Sequence, residues 1–338
     1  MYVIAELSAN HGQDLDTALR MVRAAAESGA DAVKIQTYTP DTITLDVDSG
    51  PFVIEEGSLW AGKTLYELYE QAYTPWEWFP QLNEAAKNSG LTLFSSPFDD
   101  SAVEFLEAQD VPAYKVASFE LIDHGLVRSV ARTGKPMIIS TGMASLSEID
   151  EALSVAREAG ANEIALLRCN SGYPTPLSEM DLRTIPNMID AFGVPVGLSD
   201  HTPGTEAAVV ARTLGACLLE KHFVLDRNSG ALDAEFSLEP TEFARMTTAV
   251  RNAEEMLGGV RYGPTEREQH SLLHRRSLFV TRDMTAGEVL TPENVRSVRP
   301  GAGLAPKHLD DVLGAAVVTD VPKGTPLSWD LIMQSSGH

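Results

Sequence analysis

Cysteine is almost absent from this chain. Cys169 and Cys217 are the only two among 338 residues. Both lie in apolar, strand-like runs, so they read as buried free thiols, and a disulfide-stapled scaffold is excluded. Long apolar runs are missing too. None is long enough to span a bilayer, and no basic segment leads into an apolar core, so a cytoplasmic protein with no membrane contact is expected. Basic side chains are scarce: 26 Lys and Arg face 48 Asp and Glu, a net charge of −22. That balance argues against nucleic acid as a partner and against anionic membranes. Plain solubility or a salt-adapted host accounts for the excess, and an anionic ligand would need a local positive pocket. No low-complexity tract occurs.

What is present is an alternation. Short β-branched or apolar runs occupy residues 3–6, 32–36, 91–96, 113–118, 136–141, 164–169, 194–199 and 217–222. Segments of helical period separate most of them. Residues 14–28 carry one apolar face and stop at Gly29. Thr74 and Pro75 read as an N-cap and first helical position, Ser145 with Glu148 as a capping box, and residues 241–257 as a closing helix. Eight βα units in succession predict an α/β fold, a parallel (β/α)8 barrel. Residues 1–258 are assigned to the barrel, 259–275 to a linker, and 276–338 to a small β-rich domain with short strands at 277–281, 290–295 and 315–326. The loop from residue 37 to about 68 is too long for a routine βα connection and reads as functional.

In such a barrel the C-terminal strand ends share one mouth. The runs place Glu6, Lys34, Gln36, Ser95, Ser96, Lys115, Ser118, Glu120, Ser140, Thr141, Ser199, Asp200, His201 and His222 there. His201 and His222 end adjacent strands. Two neutral imidazoles plus waters suit Mn²⁺, Co²⁺, Fe²⁺ or Zn²⁺, with a position open for a substrate oxygen. Asp200 is expected to support them from behind; two unrelated hydrogen-bonded histidines are the plainer alternative. Lys34 and Lys115 each interrupt an apolar run, which is costly unless the lysine is paired or meets an anion. With Ser96, Ser118, Ser140 and Ser199 they predict a pocket for phosphate and carboxylate groups. A structural salt bridge and a Schiff-base lysine are the other readings. Glu6 and Glu120 are acid–base candidates that could equally be lysine partners. Ser171 and Tyr173 line the exit of the sixth strand, where Gly172 and Pro174 could simply set a turn.

These residues sit in ordered motifs: residues 4–11 (IAELSANH), 29–37 (GADAVKIQT), 94–98 (FSSPF), 111–118 (VPAYKVAS), 134–143 (GKPMIISTGM), 197–202 (GLSDHT) and 220–223 (EKHF). Together they resemble the sialic acid synthases over nearly the whole chain. Residues 277–280 (SLFV) and 298–304 (VRPGAGL) resemble that family's C-terminal antifreeze-like (SAF) domain. Residues 37–46 (TYTPDTITLD), 64–69 (TLYELY) and 73–78 (YTPWEW) are most similar to the pseudaminic acid synthase branch. The N-acetylneuraminate and legionaminate synthases are the neighbouring branches.

The resemblance implies a (β/α)8 TIM barrel followed by a SAF domain. It implies condensation of phosphoenolpyruvate (PEP) with an N-acetylated amino sugar, with C–O cleavage releasing phosphate. For the pseudaminic branch the sugar is 2,4-diacetamido-2,4,6-trideoxy-L-altrose. A divalent metal is implied, Mn²⁺ before Co²⁺ or Mg²⁺, and so is a domain-swapped homodimer. Carried over by position, Lys34, Ser96, Lys115, Ser118, Ser140 and Ser199 bind PEP, and Ser171 stands in for an Asn of sister enzymes. His201 and His222 hold the metal. Glu6, Glu120, Lys115 and Asp233 form the catalytic group, with Glu6 the first choice to activate water. Gln36, Tyr173 and Asp233 touch the sugar, and Arg299 is the arginine that a partner's SAF domain extends over it. Trp60, Tyr66, Tyr69, Tyr73, Trp76 and Trp78 cluster around the long loop, mostly as packing, with one available to stack on a sugar. Apolar contact to the sugar's methyl is expected from this loop or from Phe119 or Met143. A non-catalytic carbohydrate-binding protein is the reading from a different class, and the intact set of mouth residues argues against it.

Overall fold

Eight strands run parallel and close on themselves in the computed structural model, which describes residues 1–333 other than Glu56 and Ser58. They are β1 (Tyr2–Glu6), β2 (Ala32–Thr37), β3 (Thr92–Pro97), β4 (Tyr114–Val116), β5 (Met137–Ser140), β6 (Ile164–Cys169), β7 (Val196–Asp200) and β8 (Leu218–His222). Each pairs with the next, and β1 pairs with β8 from Tyr2 opposite Leu218 to Glu6 opposite His222. Closure removes the sheet edges. All eight expected strands are therefore present.

The side-chain period of two sorts each strand into an outer and an inner face. Outward residues such as Val3, Ala5, Val33, Ile35, Leu93 and Leu198 join the main core with the surrounding helices. Inward, Ile4, Ala32, Phe94, Ile138 and Leu167 form an apolar plug, with Ala165 and Leu218 against it. Gly197 lets the plug close. A Cβ there would come within 2.5 Å of Leu218 O and 2.6 Å of Leu167 Cδ2. One turn of the pleat further along, the inward positions become Glu6, Lys34, Ser96, Lys115, Ser140, Ser199, Glu220 and His222, all buried. The plug is thus the floor of a polar mouth.

A helix follows every strand on the outside: Leu15–Glu27, Phe79–Asn88, Asp100–Ala108, His124–Arg132, Leu146–Glu158, Thr184–Phe192, Glu206–Thr213 and Pro240–Leu257. Asp14 caps the first, accepting from Thr17 N at 2.7 Å. The Ser145–Glu148 capping box opens the fifth of them. The helix expected at Thr74 and Pro75 begins later. Pro80 lacks an N–H and is tolerated only in a first helical turn. The α-helix therefore starts at Phe79, after a 3-10 turn over Trp76–Trp78. Thr74 is buried instead and bonds His11 Nε2 at 3.0 Å.

Among the described residues, those from Gly259 on form a second compact unit. β9 (Ser277–Val280) and β10 (Val295–Val298) pair antiparallel, Val280 opposite Val295. Leu278, Val280, Met284, Leu290, Val295, Val312, Val317, Val321, Leu327 and Ile332 are its core. The strand expected at 290–295 is not formed. Thr291 N donates to Asn294 Oδ1 at 2.7 Å and Asn294 N to Thr291 O at 3.2 Å, so an asparagine closes a turn and β10 starts only at Val295. Over residues 315–326 there are isolated bridges, Ala316 to Val289, Val317 to Ile332 and Val321 to Met284, in place of a continuous strand.

Candidate active site at the barrel mouth

Four buried charges alternate in sign across the mouth. Lys34 Nζ lies 2.5 Å from Glu6 Oε2 and 3.8 Å from Glu220 Oε2. Lys115 Nζ lies 3.9 Å from Glu220 Oε1. The hydroxyls join in. Lys34 Nζ donates to Ser96 Oγ at 3.2 Å, and Ser199 Oγ donates to Glu220 Oε1 at 3.0 Å. Burial alone would lower the Lys34 pKa, but Glu220 and Glu6 outweigh it and hold the ammonium above its ordinary range. For Lys115 burial wins, helped by the Lys34 charge, and its pKa is lowered despite Glu220. Burial raises Glu6 against the pull of Lys34, and Glu220 adds to the rise. Glu220 is also buried, yet Lys115 and Lys34 hold its carboxyl low.

Glu220 is not among the residues expected at the mouth. Strand alternation reveals it: His222 faces inward, so Glu220, two residues earlier, must do so too. The same alternation removes three expected residues. Ser95 points outward, bonding Ile35 O at 3.0 Å and Thr37 Oγ1 at 2.6 Å. Asp200 also points outward, paired to Lys221 Nζ at 2.8 Å with both side chains wholly buried. It therefore does not support the histidines. Thr141 Oγ1 is occupied by Leu167 O at 3.0 Å.

The other hydroxyls converge because the loop after β5 has no side chain at its closest point. Gly142 N donates to Ser118 Oγ at 3.0 Å. A Cβ on Gly142 would sit 2.2 Å from Ser171 Oγ and 2.8 Å from Ser118 Oγ. Ser140 Oγ is buried beside them with no hydrogen-bond partner among the described residues. Cys169 Sγ lies 3.9 Å from Ser171 Oγ. Burial opposes its ionisation, but His201, Ser118 and Lys115 bring the thiol down to about 7.

His201 and His222 face one another with ring centroids 5.3 Å apart. Asn170 O lies 2.7 Å from His201 Nδ1. A carbonyl only accepts, so Nδ1 carries a proton, and in the neutral ring Nε2 keeps a lone pair. Burial favours that neutral form, but Cys169 and the Asn170 carbonyl outweigh it and raise the ring's pKa, so a cation at Nε2 would have to displace a proton at low pH. Asn170 thus takes the orienting role expected of Asp200. His222 Nδ1 is buried with no hydrogen-bond partner among the described residues. Burial, reinforced by His201, Lys34, Lys221 and Lys115, holds this ring far below the usual histidine range, so it is a neutral imidazole. Two such rings with available nitrogens fit a divalent cation. No group of three or more His, Cys, Asp and Glu side chains among the described residues could hold one. Waters and substrate oxygens would complete its shell. Tyr173 packs on His201 at 4.4 Å and on Phe236 at 5.2 Å. Asp233 Oδ2 accepts from Ser8 Oγ at 2.5 Å and lies 3.9 Å from His222 Nδ1. Gln36 Nε2 donates to Ser8 Oγ at 3.1 Å and to Glu6 Oε1 at 3.3 Å. Arg299 is exposed in the second unit, in the segment after β10.

Glu120 follows β4 with Oε2 buried and unpartnered among the described residues. Burial pushes its carboxyl up to about 7 from an ordinary value of 4.5. The folded pKa exceeds the unfolded one, so the folded state holds a proton that the unfolded chain has lost. That stability is fully present below about pH 4.5 and disappears as pH rises through about 7. Glu120→Gln should remove the slope. In urea titrations the variant should be more stable than the parent at pH 8 by up to roughly 3 kcal/mol, and equal to it near pH 4.5. Parallel stability–pH profiles for the two proteins would refute this.

The chemistry gathers at the C-terminal strand ends. A concavity of about 620 Å³ opens at the opposite end, beneath the plug, lined by residues such as Ala113, Pro136, Glu163, Val194 and Leu218, and carries none of these groups. Known proteins match the same picture. A pseudaminic acid synthase of Campylobacter jejuni is 45% identical over 327 residues, covering 97% of this chain and 95% of its own. A pseudaminic acid synthase of Helicobacter pylori is 42% identical over 335 residues, 98% of each chain. The solved N-acetylneuraminic acid synthetase of Leptospira borgpetersenii, in complex with citrate, superposes with a TM-score of 0.72 at 31% identity, covering 80% of this chain and 90% of that one. Residues 275–333 match the SAF domain. Residues 21–262, which carry nearly every group at the mouth, match the NeuB family, and the chain belongs to that family.

Proposed function

We propose that this chain condenses PEP with 2,4-diacetamido-2,4,6-trideoxy-L-altrose and water to give pseudaminate and phosphate. The observation that carries the sugar is the 42% and 45% identity to two pseudaminic acid synthases across nearly the full chain. The mouth supports the PEP half. Lys34 and Lys115 supply positive charge in an acidic protein, and Ser96, Ser118, Ser140, Ser171 and Ser199 supply hydroxyls for phosphate and carboxylate oxygens. The sugar is assigned to the side bearing Gln36, Tyr173 and Asp233. His201 and His222 would hold a divalent ion, Mn²⁺ before Co²⁺ or Mg²⁺, which would supply Lewis acidity toward the aldehyde oxygen.

In the reaction, the π pair of PEP forms the new bond from its methylene carbon to the aldehyde carbon. Cationic character develops at PEP's central carbon, and water adds there. The C–O bond to phosphate then breaks, phosphate leaves with the pair, and a keto group remains. The aldehyde oxygen must gain a proton, and the water must lose two on its way to a keto oxygen: one as it adds, and the second, from the tetrahedral hydroxyl, to the departing phosphate. Glu6, beside Lys34, is assigned the first of the water's protons. Glu120, neutral up to about pH 7, can supply the one that the aldehyde oxygen gains. Lysines and hydroxyls hold PEP in register, so positioning contributes much of the rate. A domain-swapped homodimer, with Arg299 of one chain over its partner's sugar, belongs to the same proposal and rests on the family resemblance; a cytoplasmic setting is proposed with it from the sequence.

The test is phosphate release from PEP across a panel of amino sugars. The trideoxy sugar should give a kcat/KM at least roughly tenfold above that of N-acetylmannosamine. A higher kcat/KM for N-acetylmannosamine would overturn the sugar assignment.

A further inference from the structure

Five residues other than glycine have a positive φ among the described residues. Four of them, Gln13, Asp110, Met143 and Asp181, are exposed. Ser8 is the exception. Its φ is 43°, and it lies buried, 4% exposed, two residues beyond Glu6 at the end of β1. An L-residue in this region crowds its Cβ against its own backbone, and serine has no special tolerance of it. Glycine would adopt the same backbone freely. A buried serine held in a conformation suited to glycine points to a use for its side chain.

Ser8 Oγ donates to Asp233 Oδ2 at 2.5 Å and accepts from Gln36 Nε2 at 3.1 Å. Ser8 N donates to Glu6 Oε1 at 3.1 Å, the same oxygen that Gln36 Nε2 reaches at 3.3 Å. One residue therefore touches three groups of the mouth, carried by β1, β2 and the turn after β8. A hydroxyl suits the place because it donates to a carboxylate and accepts from an amide at once. The left-handed backbone sets the direction of the Cα–Cβ bond, and so holds the hydroxyl between the two side chains. The Ala9 N–H also bonds Asp233, so removing the hydroxyl takes one anchor from that carboxylate without stranding it. We propose that Ser8 is a positioning residue of the sugar half of the site, its hydroxyl setting the Asp233 carboxylate and the Gln36 amide in the orientations that receive the sugar. This rests on the functional reading above, which gives those two residues to the sugar.

The experiment compares wild type, Ser8→Gly and Ser8→Ala. Both variants lose the hydroxyl and keep the N–H that meets Glu6. Glycine also relieves the backbone, so Ser8→Gly should fold even where alanine does not. Each protein is assayed for phosphate release with the sugar varied at saturating PEP and Mn²⁺, then with PEP varied at saturating sugar. In both variants the KM for the sugar should rise about tenfold, the order of a lost charge-assisted hydrogen bond, while the KM for PEP keeps its wild-type value. A serine that only supports the fold would move both constants together or neither, and either result would overturn the inference. So would a raised sugar KM in Ser8→Gly alone, because the backbone and not the hydroxyl would then be responsible. The wild type is also assayed with N-acetylmannosamine. A preference for that sugar would overturn the substrate assigned above, and the variants, measured with it, would still decide the role of Ser8. A wild type that releases no phosphate with any amino sugar of the panel would overturn the functional reading and this inference together.

Discussion

His201→Ala and His222→Ala should each abolish Mn²⁺ binding, seen by titration calorimetry, and lower kcat roughly a thousandfold with the barrel still folded. The figure corresponds to about 4 kcal/mol, within the several kcal/mol a Lewis acid contributes to a developing oxyanion. The two residues have different surroundings, so the variants should differ in one respect. His201 is oriented by the Asn170 carbonyl at 2.7 Å, and losing its ring frees that carbonyl. His222 Nδ1 has no hydrogen-bond partner among the described residues, so its removal leaves no such polar group behind. His222→Ala should therefore be the better folded of the two in thermal melts. EDTA treatment of the wild type should reproduce the kinetic loss, and Mn²⁺ or Co²⁺ should reverse it. Full turnover in a chelated sample would end the metal assignment.

Lys34→Ala should be almost as damaging, and in two separable ways. A buried charge-assisted contact to PEP is worth roughly 1.5–3 kcal/mol, so PEP affinity should drop at least about tenfold. The same substitution strands Glu6, whose Oε2 was 2.5 Å from the ammonium, and leaves Glu220 facing Lys115 alone. Leaving a buried charge uncompensated typically costs about 3–5 kcal/mol of fold stability. The double variant Lys34→Ala with Glu6→Gln distinguishes the two effects. It should recover most of the stability, because the stranded charge is gone, and none of the PEP affinity. Denaturant unfolding and PEP titration read the two quantities independently. Unchanged PEP affinity in Lys34→Ala would refute the anion pocket.

The barrel was legible because its strands are buried on both faces and read as short apolar runs broken by turns. The polar residues at their ends stand out against that background. Lys34 and Lys115 were conspicuous for this reason, and both are at the mouth. Facing was harder to read. Asp200 adjoins His201 in sequence, yet a strand sends neighbours to opposite sides, so Asp200 met Lys221 behind the wall. Glu220 was masked by the charges around it in EKH, although counting back by two from His222 exposes it. Thr74 with Pro75 formed a plausible helix start, and Pro80 overruled it from five residues away. The orienting partner of His201 is a backbone carbonyl, which no side-chain pattern can announce. Trp60 looked like any loop aromatic until its bond to Leu232, 172 positions along the chain, placed it.

The pairing of β1 with β8 has a consequence for how the protein is made. Tyr2 lies opposite Leu218, so the first strand of the barrel to be made waits for nearly the whole barrel before its β8 partner exists. Glu6 and Lys34 emerge early, while Glu220, His222 and the turn that carries Asp233 are still untranslated. Closure of this kind has a high contact order and is intrinsically slow. Until the eighth strand docks, the nascent chain exposes apolar strand faces of the type that chaperones hold. The mouth, with Ser199, Glu220 and His222 on the last two strands, exists only once the barrel has been completed. PEP can therefore add stability only to completed barrels, and so favours them over their partly built precursors.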